Sequence, residues 1–145
     1  MHFKPLLFAL PLAMAATGCA TMSDSTSSAA PMAGAKLMAG DGSARGEAMI
    51  TQAADGLHVV VKAMGLTPGT HAVHIHTTGT CTGPDFPSAG GHWNPTNRQH
   101  GKDNPAGMHM GDMPNMLAGP DGTGEIEYHV AGGMISGGAM PLLDA

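Results

Sequence analysis

Residues 57–76 read LHVVVKAMGLTPGTHAVHIH. In LHVVVKAM, apolar side chains fall at 57, 59, 61 and 63, a period of two that belongs to a strand rather than a helix. Val60 puts an apolar residue on the other face as well, as expected where a strand is covered on one side by a partner sheet. TPGT is a turn signal, after which HAVHIHTT alternates again. Upstream, AKLMAG, ARGEAMITQ and LHVVVKAM are separated by DGS and ADG, the punctuation of hairpins. Downstream, two more strand candidates at about 114–118 and 123–131 flank the turn-forming AGPDGTG. No segment of adequate length carries helical periodicity without Gly or Pro inside it, so the fold class is all-β.

Composition agrees. The chain has 145 residues with 22 Gly and 11 Pro but only one Trp, one Tyr and three Phe. Its length suits one domain of roughly 100–110 residues behind a removable front end. The net charge of −5 excludes the basic footprint of a nucleic-acid binder. Nine histidines and thirteen methionines are unusual in so small a chain. Both side chains donate to transition metals, although Met also serves simply to fill core gaps.

Residues 1–18 read as a signal peptide, with a positive start in MHFK and an apolar run, PLLFALPLAMAATG, too short to span a bilayer comfortably. The run ends in ATGC, which resembles the lipobox of bacterial lipoproteins and makes Cys19 the expected lipidation site. The alternative is an ordinary secreted form cleaved after small residues. Either way the destination is the periplasm or cell envelope, with membrane contact through a lipid on Cys19 in the first case. Residues 19–35 follow as a flexible Ser/Ala/Thr-rich tether, and 36–145 as the folded domain.

After His76 comes a stretch of more than thirty residues rich in Gly, Pro, Asn and Asp, long enough to need a function or a staple. In strand geometry His74 and His76 share a face, about 7 Å apart at Cα, and can reach one metal ion. His71 points to the other face and suits a structural hydrogen bond. An H-x-H pair alone is weak, since hydrogen-bonded histidines look the same. The loop GGHWNPTNRQHGKDNPAGMHMGD adds His92, His100, His109 and Asp112. Three imidazoles and one carboxylate form a four-coordinate tetrahedral set suited to zinc, whose closure would order such a loop.

With G-x-H-x-V-H-I-H at 69–76, Cys81, SAGGHWNP at 88–95, QHG at 99–101 and HMGDMPN at 109–115, residues 36–145 resemble the copper–zinc superoxide dismutases of the bacterial secreted type. The intervals from His92 to His100 to His109 to Asp112 are similar to that family's zinc loop. The resemblance implies a Greek-key β-barrel or sandwich and the cofactors copper and zinc. It implies copper on His74, His76 and His92, and zinc on His92, His100, His109 and Asp112. It further implies dismutation of superoxide to oxygen and hydrogen peroxide, with His92 bridging the metals and donating a proton.

The same resemblance implies a strand with a fourth copper histidine, a substrate-guiding Arg, an outer carboxylate linking the two metals' histidines, and a second Cys to pair with Cys81. The sequence ends at Ala145 before these, so about six of eight strands are expected, with the domain incomplete at its C-terminal end. Cys81 then lacks its disulfide partner, the copper site is three-coordinate and the dismutase rate is low. A second copy, making a homodimer, or another chain would cover the open edge. The alternative function is a non-catalytic zinc- or copper-binding envelope lipoprotein. Met113 and Met116 read as core, Met108 and Met110 are open between packing and thioether ligation, and Trp93 reads as packing. His58 and His129 read as surface histidines, and Lys102 and Asp103 as solvated loop charges.

Overall fold

The structure is a computed structural model and describes residues 29–143. Six strands form one antiparallel sheet: β1 (Met32–Met38), β2 (Ala44–Ala53), β3 (Gly56–Ala63), β4 (Gly69–His71), β5 (Met116–Ala118) and β6 (Gly124–Ala131). Among the described residues there is no α-helix, only a single 3-10 turn at Pro87–Ala89. The spatial order is β1-β2-β3-β6-β5-β4. In it, β4, β5 and β6 lie side by side and β3 lies beside β6, which is Greek-key order. The expected all-β Greek-key class is therefore the observed one.

Strand β3 is where the alternation is cleanest. Leu57, Val59, Val61 and Ala63 are buried, while His58 and Lys62 face solvent. Its ladders run unbroken on both sides, to β2 from Ala63↔Gly46 to Gly56↔Ala53 and to β6 from Gly56↔Ala131 to Ala63↔Gly124. Val130 of β6 joins Leu57, Val59 and Val61 in one core cluster with Trp93, Met110 and Met113 of the long loop and Ile135 near the end of the described chain. Burying each such aliphatic side chain is worth roughly 1.5–3 kcal/mol. The core thus lies between the inward face of the sheet and a layer of chain without regular structure.

That layer is held by specific polar contacts. Gln52 of β2 donates from Nε2 to the Gly56 carbonyl at 2.9 Å, and its Oε1 accepts the Ile135 N–H at 2.8 Å. The Trp93 indole N–H donates to the Pro141 carbonyl at 3.0 Å.

Two expectations need correction. The strand HAVHIH is not continuous. β4 stops at His71, and only isolated bridges follow, His74↔Asp112 and His76↔His92. The partners there are short pieces of loop, which cannot sustain a ladder. The tether read over residues 19–35 also gives way at its end, because β1 begins at Met32. Met32 and Ala33 pair with Thr51 and Ile50 of the ten-residue β2, whose length recruits a partner that shows no apolar periodicity of its own. Residues 1–18 and Cys19, read as signal peptide and lipidation site, lie outside the described residues.

Candidate metal centre

The histidines meet where three short segments cross. Trp93 N–H donates to the Ile75 carbonyl at 2.8 Å, Ile75 N–H to the Gly111 carbonyl at 2.9 Å, and Gly111 N–H to the Trp93 carbonyl at 2.8 Å. This closed three-way link sets His74 and His76, His92, and His109 and Asp112 side by side. Gly111 is the residue that allows it, since a Cβ there would lie 2.3 Å from the Ile75 carbonyl oxygen and 3.1 Å from the Trp93 nitrogen.

Asp112 is the anchor. It is 1% exposed, and its Oδ2 accepts the backbone N–H of Gly101 at 2.8 Å and of His109 at 3.1 Å. Gly101 reaches it with a φ of 111°, a conformation that a side chain resists. Burial alone would raise the carboxyl pKa. The Gly101 amide, the His92 ring, the His109 amide and the His100 ring outweigh it and hold the group down at about 2. A carboxylate held toward its ionised form thus sits inside a ring of imidazoles.

Around its other oxygen, Oδ1, the Nδ1 atoms converge: His92 at 2.8 Å, His100 at 3.1 Å and His109 at 3.5 Å, with His92 and His109 Nδ1 3.3 Å apart. Four donors held about 2.0–2.1 Å from a tetrahedral zinc ion lie about 3.3 Å from one another. The donor types and these four spacings therefore fit zinc. The grouping of His74, His92, His100 and Asp112 has its donor atoms all within 4.8 Å of one another, so His74 also reaches the Asp112 side of the cluster. Side-chain amides trim the loop around it: Asn94 clasps Arg98 through both its polar atoms, and Asn104 donates to the His100 carbonyl at 3.0 Å.

His74 and His76 also lie against His92, and His74 reaches His100 as well, with ring centroids 5.5 Å apart. His74 stacks on His92 with ring centroids 3.9 Å apart, and His76 meets it edge-on at 5.2 Å. Burial lowers the His74 pKa, and the His92 ring lowers it further against the opposing pull of Asp112, which favours the neutral ring that a metal requires. His76 Nδ1 donates to the Gly90 carbonyl at 2.9 Å. In that tautomer Nε2 keeps its lone pair, the usual arrangement behind a metal-binding imidazole. A cleft of about 360 Å³ opens over His74, His100 and Asp112.

All six expected metal ligands are thus in one place. His71 is apart from them, with Nε2 donating to the Thr67 carbonyl at 2.7 Å, the structural bond expected of it. Cys81 is exposed and free. Met110, Met113 and Met116 are buried packing residues, as is Trp93, while Met108 is partly exposed. Lys102 and Asp103 pair with each other at the rim of the cleft. What sequence reasoning missed are the backbone groups: the Gly90 carbonyl, the Gly101 amide and the Gly111 crossing. Their only signal was glycine placed directly beside a ligand, in GGH, HG and GD.

The family model described as copper/zinc superoxide dismutase matches residues 44–140. The Cu-Zn superoxide dismutase of Caulobacter vibrioides is 41% identical over 114 residues, 77% of this chain and 66% of that protein. The superoxide dismutase-like protein YojM of Bacillus subtilis is 45% identical over 73 residues, 50% of this chain and 37% of that protein. The crystal structure of a SOD-like protein from Bacillus subtilis superposes with a TM-score of 0.72 at 36% identity, covering 77% of this chain and 76% of that one. The chain therefore spans between 37% and 66% of the length of these two curated relatives.

Proposed function

This chain belongs to the copper/zinc superoxide dismutase family, and on that premise we propose that it disproportionates superoxide to oxygen and hydrogen peroxide in the cell envelope. In this reading His74, His76 and His92 would hold copper, and His92, His100, His109 and Asp112 would hold zinc. The observation that carries the assignment is the position of His92, whose ring meets those of His74, His76, His100 and His109.

Bound there, copper would supply one-electron exchange with superoxide, and zinc a redox-silent charge. The protein's part is positional. Asp112 keeps His92 Nδ1 directed into the zinc set, which leaves Nε2 as the ring atom that takes up and releases a proton. The Gly90 carbonyl holds the His76 tautomer. The cleft beside His74 admits a small anion and water.

A metal-loaded chain should consume superoxide in a stopped-flow assay, and His92→Ala should abolish this while His71→Ala, which leaves the cluster intact, should not. Equal activity in wild type and His92→Ala would refute the proposal. The second reading, a metal-binding protein without turnover, draws on the convergence of His92, His100 and His109 on one Asp112 oxygen, a set that zinc alone would fill. It predicts full zinc uptake with no superoxide consumption.

We further propose that Cys19 carries a lipid anchor, behind a signal peptide over residues 1–18, and that two copies associate as a homodimer. Mass spectrometry of the mature N-terminus tests the first, with Cys19→Ala expected to release the protein from the membrane fraction. Sedimentation analysis tests the second, and a monomer at micromolar concentration would rule it out.

A further inference from the structure

The outward face of the sheet, opposite the core and Trp93, carries histidines that the buried centre does not use. His58 of β3 and His129 of β6 are register partners, and both are exposed. In antiparallel strands such partners hold their Cβ atoms about 4.5–5.5 Å apart, with both side chains on one face. Two imidazole nitrogens on one tetrahedral ion lie about 3.3 Å apart, a spacing that the exposed His58 ring would reach by side-chain rotation. A third donor is already at hand, for His129 Nε2 lies 3.3 Å from Asp55 Oδ1, in the turn between β2 and β3.

The surroundings favour a cation. Glu127, two residues before His129 on the same strand face, stands diagonal to His58 through its pairing with Val60. Met49, 41% exposed, flanks the site from β2, where it pairs with Val60. The nearest lysine on this face, Lys62, lies a further row away and is paired with Glu125 at 3.3 Å. Two carboxylates and two imidazoles thus face solvent with no basic side chain among them.

We propose that His58, His129 and Asp55 form a second metal site, on the surface of the sheet, that takes a divalent copper or zinc ion independently of the buried centre. Imidazole with carboxylate is a donor set suited to these ions. Because the sheet lies between the two sites, filling one does not require the other.

The test is a count of metal equivalents. The full chain is first given a single equivalent of zinc, for the Asp112 set, then titrated with Cu(II) and followed by calorimetry and copper EPR. The expected result is two Cu(II) equivalents, one at His74, His76 and His92 and a second that is lost in the double variant His58→Thr with His129→Thr and weakened in Asp55→Asn. Threonine suits an exposed strand position, and circular dichroism checks that the sheet is retained. Should the double variant not fold, Asp55→Asn and single His58→Thr carry the test. His92→Ala, which dismantles the buried centre, should keep the surface equivalent. Unchanged copper uptake in the folded His58 and Asp55 variants, or loss of the surface equivalent in His92→Ala, would overturn the proposal.

Discussion

The two layers that enclose the core are ordered by different means. On one side, β2, β3 and β6 form continuous ladders in which each residue is fixed by its neighbours' backbone and by alternating burial. On the other, residues 72–115 contain only a 3-10 turn and isolated bridges. Their order depends on one carboxylate, one glycine crossing and a tryptophan. A ladder spreads the cost of a substitution over many equivalent bonds, whereas a node concentrates it. The lesson is that the loop should be far more sensitive than the sheet to changes at a few named positions, and insensitive elsewhere.

The largest effect should come where the layers touch. Trp93→Ala removes the side chain that binds the loop to Leu57 and Val130 and loses the bond to Pro141. Denaturant unfolding should show a loss of about 3–5 kcal/mol, and a loss below about 1 kcal/mol would mean that the layers fold separately. Next is Gly111→Ala, whose methyl group collides with backbone rather than with a yielding side chain. It should cost about 1–3 kcal/mol and weaken zinc binding sharply, as read by chelator competition. Removing metal from wild-type protein should be milder still and local. Amides over residues 91–112 should exchange faster with deuterium, while those of β2, β3 and β6 keep their protection. The smallest effect belongs to the sheet's own surface. Glu125→Gln breaks the solvent-exposed pair with Lys62 and should shift stability by less than about 0.5 kcal/mol.

How much of this was legible in the sequence follows the same division. Alternation located β3 and β6 nearly to the residue, because a half-buried strand writes its environment into every second position. The spacing of His92, His100, His109 and Asp112 exposed the candidate centre, because metal donors are few residue types and their clustering is rarely accidental. β1 was placed too late, since Met32–Ala35 has no pattern and forms a strand only because β2 extends beside it. HAVHIH was read as one strand because its alternation is real, but continuity of a strand depends on a partner that lies forty residues away and is itself irregular. The hydrogen bonds that orient the ligands come from glycine backbone groups, whose directions depend on dihedral angles that no side chain announces.

Trp93 is the chain's one tryptophan, is 1% exposed, and is covalently adjacent to His92. Excited at the red edge of its absorption, where Tyr128 does not absorb, its ultraviolet emission is therefore a built-in gauge that needs no label and has no second tryptophan to compete with it. A paramagnetic ion arriving beside His92 would quench that light. Unfolding would instead shift it to longer wavelength as the indole leaves Pro141 for water. One optical channel thus separates filling of the centre from loss of the fold, by intensity in the first case and by colour in the second.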